Sequence, residues 1–244
     1  ITPQSQDQWV LTLDSYANDG FKKVEGWVDA RLLPILKLLH QTQTEMAVQG
    51  GVLEIGVHHG RFFLPLNAMV EPAEGPSFAI DLFEDQALNI DRSGHGSSGK
   101  FAESLRLFDR HGGANVHTIA GDSTRLRHGD PTRFRATPPK VISVDGGHTV
   151  EHTLSDLQFA EAILHDRGAV FLDDILNAHW VGVFEGAVTY LQRRPTLWPV
   201  FIGYNKLILV PMSVHGSYLA SLRKHLPGGK LVALCGYSLL APAA

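Results

Sequence analysis

The chain has 244 residues, 44% of them hydrophobic, which is enough to bury one large core. Its 21 basic and 25 acidic residues give a formal charge of -4 with no basic stripe, which argues against a nucleic-acid partner. A single cysteine, Cys235, excludes an internal disulfide framework, and neither a leader region nor an apolar run of ~18 residues is present, so a cytoplasmic protein without a membrane span is expected.

Residues 7–49 read as mostly helical, with Pro34 as a boundary or kink. From residue 51 short apolar runs alternate with helical stretches. Strands are expected near 51–55, 77–81, 116–120, 140–144 and 168–173, with helices near 60–70, 100–111 and 149–165 between most of them. This alternation predicts a parallel sheet covered by helices on both faces. A helix near 180–193 follows. The runs 198–202 and 205–210, linked by only Gly203 and Tyr204, form an antiparallel hairpin at the end of the sheet. In the remainder, "SYLASLRKHL" suits a helix and "KLVALCGYSLL" a strand or a packing tail. We read an N-terminal helical extension, 1–49, and one globular unit, 50–244.

Ligands of open parallel sheets bind at the carboxyl ends of the strands, so the residues after each strand matter most. After the first comes "VLEIGVHHGRFF", where Glu54-x-Gly56-x-x-x-Gly60 occupies a strand-to-helix turn. The spacing differs from the dinucleotide fingerprint, and the acid would repel a pyrophosphate but suit the ammonium of a zwitterion. His58 and His59 face the same opening, or are simply solvated. The second strand ends on Asp81, 25 residues after Gly56, where a carboxylate can accept both ribose hydroxyls or cap a helix. The ribose role is preferred because the first loop lies beside it. The polar stretch Glu84–Lys100 is long for a strand-to-helix link and suits a lid or binding loop. After the third strand, Asp122 in Gly121-Asp122-Ser123 either accepts from an adenine amino group or caps the next turn.

The fourth and fifth strands end on Asp145 and on Asp173-Asp174, 28 residues apart, about one strand–helix–strand unit. Parallel strands would bring these three carboxylates together, which is costly unless one is protonated or a cation joins them. A divalent cation is preferred to the alternative in which Asp173 or Asp174 caps a turn, and oxygen ligands favour Mg²⁺, Mn²⁺ or Ca²⁺. In "DGGHT", two glycines swing His148 over this spot, where it reads as a general base or a capping residue. His152 is a second candidate. Glu151 and Asp156 read as solvated helix charges.

Together "VLEIGVHHGRFF", "AIDLFEDQ", "ISVDGGHTVEHTLSDL" and "VFLDDI" resemble class I S-adenosylmethionine-dependent methyltransferases over about residues 50–210. The likeness is greatest to metal-dependent small-molecule O-methyltransferases, including those that act on sugars of macrolides and other glycosylated natural products. The resemblance implies an α/β, Rossmann-like, doubly wound sheet of seven strands, mostly parallel, with an antiparallel last strand. It implies S-adenosylmethionine as cofactor, with Glu54, Gly56 and Gly60 at its methionine part, Asp81 at ribose, and Asp122 or Ser123 near adenine. Asp145, Asp173 and Asp174 match the ligands of Mg²⁺ or Mn²⁺. Catechol O-methyltransferases carry lysine at the place of His148, and a histidine there is reminiscent of the sugar-modifying members. The expected reaction is methyl transfer to a hydroxyl of a small molecule, with His148 as base and Asn177, His179 and Trp180 lining the acceptor pocket. The roles of Tyr204, Asn205 and Lys206 stay open. The alternatives are a metal-independent methyltransferase using His148 or Asp145 as base, a nicotinamide-dependent oxidoreductase and a non-catalytic nucleoside-binding module. The N-terminal helices suit either a lid or the interface of a homo-oligomer.

Overall fold

The computed structural model describes residues 13–128 and 132–243. Among these residues nine strands form one sheet: β1 (Val52–Ile55), β2 (Ser77–Asp81), β3 (Val116–Ala120), β4 (Val141–Val144), β5 (Ala169–Leu172), β6 (Leu197–Gly203), β7 (Lys206–Pro211), β8 (Lys230–Leu234) and β9 (Tyr237–Ala241). Their order is β3-β2-β1-β4-β5-β7-β6-β9-β8. The first five are parallel, and β7 runs antiparallel to both β5 and β6. Strand order reverses between β1 and β4, which makes the crevice above these two strands the switch point.

Alternation along the strands separates two apolar faces. Val52, Val141, Ala169, Phe171 and Ile208 share one core with helices α1 (Leu32–Glu45), α2 (Phe63–Asn67) and α3 (Ser98–Phe108). Leu53, Ile142, Val170, Leu172 and Leu209 share the other with α5 (Val150–Ile163) and α6 (Val181–Gln192), while the short α4 (Thr132–Arg135) contributes Phe134. Apolar faces on both sides explain why β1, β4 and β5 are buried along their whole length.

The sheet continues two strands past the expected seven. The run "KLVALCGYSLL" folds as a hairpin, with Cys235 and Gly236 at positive φ in its turn and Leu239 and Leu240 buried. "SYLASLRKHL" is helical up to His225, in α7 (His215–His225), with Leu226 at its C-cap. In the N-terminal part, residues 7–12 lie outside the described residues. Helical turns at Tyr16–Gly20 and Phe21–Lys23 give way to irregular chain before α1, so the break in this mostly helical part falls before α1 rather than at Pro34. Pro34 falls in the first turn of α1, where its missing N–H removes no helical hydrogen bond. Among the described residues, no helix is long and apolar enough to cross a membrane.

Candidate active site

Hydrogen bonds between strand ends set the floor of the site. Gly56 N donates to Ile80 O at 2.8 Å, Asp145 N to Ile55 O at 2.9 Å and Asp173 N to Val144 O at 2.9 Å. The turns that follow therefore start at one level and enclose a cleft of about 510 Å³. Glu54, Gly56, Asp81, Asp122, Ser123, Asp145, His148, Asp173, Asp174, Asn177 and Trp180 line it. Gly60 and His179 are not in the lining. Gly60 turns the chain behind the cleft at φ +92°, with the Phe101 ring 2.9 Å from where a side chain would begin. His179 is exposed, and its N–H donates to Asn177 Oδ1.

The turn after β1 depends on Gly56. Its φ is +83°, and an added Cβ would lie 1.7 Å from the Asp145 carbonyl oxygen. Only glycine lets the β1 and β4 turns approach this closely. Glu54, in the middle of β1, is 1% exposed, and its Oε2 has no hydrogen-bond partner among the described residues. Burial, partly offset by Lys206, pushes its pKa up to about 8. Asp81 Oδ2 accepts from His58 N at 2.7 Å and Oδ1 from Phe83 N at 2.6 Å. Asp122 caps the turn after β3, accepting from Thr124 N at 2.9 Å while facing the cleft.

Asp156 is a correction: it is 1% exposed rather than solvated, and Ser123 donates to its Oδ2 at 3.1 Å. Desolvation raises its pKa to about 7. Gly146 makes room for this carboxylate, which lies 2.8 Å from the place of a Gly146 side chain. His59 is also buried, its ring centre 3.7 Å from that of His58 with the planes tilted by 33°, and His58 in turn meets Trp27 at 5.4 Å.

The acids of β4 and β5 divide into two groups. Ligand atoms of Asp145, His148 and Asp174 lie within 4.8 Å of one another. Asp173 instead forms an ion pair with Lys206, whose ammonium is buried 4.4 Å from the centre of the Phe62 ring. Burial, together with the charge of Asp173, pushes the Asp145 carboxyl well up, although Lys206 opposes this. Asp174 has φ +58°, which turns its carboxylate back into the cleft. Burial would raise its pKa, but hydrogen bonds from His148, Asn177 and Asn205 outweigh this and hold it low. Asn177 Nδ2 and Asn205 Nδ2 reach its Oδ1 at 2.8 and 2.7 Å.

His148 sits between two carboxylates. Its Nε2 is 2.9 Å from Asp174 Oδ2, its Nδ1 is 2.7 Å from Asp91 Oδ2, and its ring stacks on Trp180 at 4.3 Å. Burial favours the neutral ring, but the two carboxylates prevail and raise its pKa. His152 also lines the cleft, with Nδ1 2.7 Å from Thr149 Oγ1.

Sequence reasoning left the roles of Asn205 and Lys206 open and missed Asp91. Tyr204 and Asn205 both have positive φ, so the two-residue link of the β6–β7 hairpin has the geometry that delivers Asn205 to Asp174 and Lys206 to Asp173. A signal for Lys206 was present in "NKLILV": a lysine opening a wholly apolar strand in the sheet interior is buried only when paired. Asp91 lies in the long polar loop, and nothing in its spacing ties it to His148.

The donor set fits a hard divalent cation, since Asp145 and Asp174 offer oxygens and the acid cluster exceeds what Lys206 neutralises. Glu54 Oε2, without a hydrogen-bond partner among the described residues, fits an ammonium group entering the cleft.

The family described as "Methyltransferase domain" matches residues 53–175, half of the chain, from β1 to just beyond Asp174. No curated protein matches the sequence significantly. Among solved structures, the O-methyltransferase NovP is 14% identical, with a TM-score of 0.58 over 85% of this chain and 99% of that one. CalS11, a calicheamicin methyltransferase, is 15% identical, with a TM-score of 0.54 over 86% and 93%. MycE, in complex with Mg, S-adenosylhomocysteine (SAH) and mycinamycin VI, is 15% identical, with a TM-score of 0.52 over 82% of this chain and 54% of that one. At such identities these structures establish a shared fold. The strand order, the switch-point cleft and the family match converge on one conclusion: this chain belongs to the methyltransferase-domain family, as a class I S-adenosylmethionine-dependent methyltransferase.

Proposed function

We propose that the protein methylates a hydroxyl of a small molecule, a sugar or glycosylated natural product, with the help of Mg²⁺ or Mn²⁺. The observation that carries this reading is the meeting of Asp145, His148 and Asp174 in the cleft that Glu54 and Asp81 also line. S-adenosylmethionine supplies an electrophilic methyl group, and a bound divalent cation supplies Lewis acidity at the acceptor hydroxyl. Glu54 receives the cofactor ammonium, Asp81 the ribose hydroxyls, and Asp122 or Ser123 the adenine side. Asp145 and Asp174 hold the cation, with Asp173 and Lys206 behind them balancing charge. His148 takes the acceptor proton at Nε2, where Asp174 Oδ2 now stands at 2.9 Å. Asn177 and Trp180 lie at the acceptor end. The protein's main contribution is positioning, for an in-line transfer.

The cleft wall supports an acceptor with an apolar body. Trp27 and Ile90 line it, yet are 73% and 63% exposed. Such surface gains about 25 cal/mol per Å² when a ligand covers it.

Calorimetric titration of SAH into EDTA-treated protein, with and without Mg²⁺, tests the cofactor reading, and a screen of diols and glycosides tests the acceptor. Absence of SAH binding in both conditions would sink the proposal. Lys206 favours a second reading, because a cation already stands in the acid cluster: transfer could proceed without metal, with His148 or Asp145 as base. Turnover that survives EDTA would select it.

A further inference from the structure

We infer that Arg61, the residue after Gly60, takes the carboxylate at the amino-acid end of the cofactor, beside Glu54 at its ammonium. This inference rests on the reading of Glu54 as the partner of that ammonium.

Charge singles out Arg61. Eight carboxylate side chains line the cleft, and among the described residues Arg61 is the one lysine or arginine in that lining. Lys206 is not part of the lining and is paired with Asp173. A ligand whose ammonium meets Glu54 carries its carboxylate on the same carbon. That carboxylate enters a cleft rich in like charge, and a guanidinium nearby offsets the repulsion. Arg61 and Glu54 are close enough to act on one group. Burial raises the pKa of the Tyr16 hydroxyl, the charge of Arg61 opposes the rise and the charge of Glu54 adds to it.

The guanidinium is held in place before any ligand arrives. Nη1 donates to Gly26 O at 3.0 Å and to Val24 O at 3.4 Å, and Cζ lies 4.4 Å from the centre of the Phe21 ring. Gly26, at φ +151°, leaves room for this approach, because an added Cβ would lie 2.9 Å from Arg61 Cβ. The Tyr16 hydroxyl donates to Arg61 O at 2.9 Å and fixes the backbone.

These contacts engage Nη1. Nε is buried and has no hydrogen-bond partner among the described residues. Nε and Nη2 form the edge with which a guanidinium grips a carboxylate through two parallel hydrogen bonds. A buried donor without a partner is costly, so an oxygen that completes Nε is favoured on that ground as well. The same guanidinium holds the segment that carries Trp27, so the cofactor end and one wall of the cleft meet at a single side chain.

The test is calorimetry on the EDTA-treated whole chain, comparing SAH with S-adenosyl-3-thiopropylamine, which keeps the ammonium but lacks the carboxylate. Wild type should bind SAH about 10–100-fold more tightly than the amine. In Arg61→Met the ratio should fall to within about threefold, and Arg61→Lys should restore part of it. Equal affinities in wild type would overturn the inference and leave the cofactor reading intact. So would an R61M variant that weakens both ligands alike, because Arg61 would then be an anchor of residues 24–28 and nothing more. If melting curves show that R61M does not fold, Arg61→Gln replaces it, keeping a donor for the Val24 and Gly26 carbonyls without the charge. Absence of SAH binding to wild type would overturn this inference together with the cofactor reading.

Discussion

Replacing Lys206 with methionine keeps an apolar side chain of similar length but removes the ammonium that pairs with Asp173 and lies over the Phe62 ring. The Lys206 and Asp173 side chains are 1% and 8% exposed, so water cannot take the ammonium's place without opening the hairpin. Breaking a buried pair by removing one partner costs about 3–5 kcal/mol. In a chain of this size each kcal/mol shifts Tm by about 2–4 °C, so K206M should melt roughly 6–20 °C below wild type. The cluster also becomes more negative. Mg²⁺ should therefore bind K206M more tightly, by on the order of tenfold or more, and recover part of the lost Tm. Thermal denaturation across a Mg²⁺ series, with calorimetry for affinity, reads both effects. A Tm within 2 °C of wild type, or Mg²⁺ affinity no greater than wild type, would refute the placing of Lys206 as the resident counter-charge.

Glu54 gives a pH prediction. Its pKa is raised from 4.5 to about 8 in the fold, so between these values the native state binds more protons than the unfolded chain. Its contribution should therefore lower stability as pH rises through that window, with a limiting slope of about 1.4 kcal/mol per pH unit. Glu54→Gln should flatten that part of the ligand-free stability profile, as followed by urea titration at several pH values. Gly56→Ala should lose SAH binding, or fail to fold, because its Cβ would meet the Asp145 carbonyl 1.7 Å away; a variant with wild-type Tm and calorimetric affinity would contradict the turn geometry. His148→Ala should cost about 10²-fold or more in kcat with SAH affinity retained, and unchanged turnover would remove it as the base.

The fold was legible in the sequence where hydrophobic periodicity is strong. Each parallel strand, the switch to an antiparallel hairpin and the acids at the strand ends follow from short apolar runs stopped by Gly and Asp. The extra β8–β9 hairpin was hidden because "KLVALCGYSLL" is mostly apolar with little turn chemistry, and the left-handed backbone at Cys235 and Gly236 breaks it. Asp156 was misread because it follows the acidic, polar start of α5. Its burial depends on the space left by Gly146 and on Ser123, both distant in sequence. Strand-end acids are local features of sequence, whereas their partners are not. Asn205 and Lys206 reach them across the sheet, and Asp91 across a loop.

The partners change what the acids can do. Three carboxylates meeting at one sheet edge suggest a single ligand set, and two charges 4.8 Å apart repel by about 3.5 kcal/mol at an effective dielectric near 20. Lys206 divides that set by pairing with Asp173 from below, while Asn177 and Asn205 keep Asp174 ionised from the side. Asp145 is left as the acid with its pKa pushed well up, so it is the group whose proton a divalent cation must displace. Cation binding should then release protons, an amount measurable by comparing calorimetric heats in buffers of different ionisation enthalpy. Mg²⁺ binding without proton release would mean that Asp145 is already ionised, and that Lys206 alone is enough to hold the cluster together.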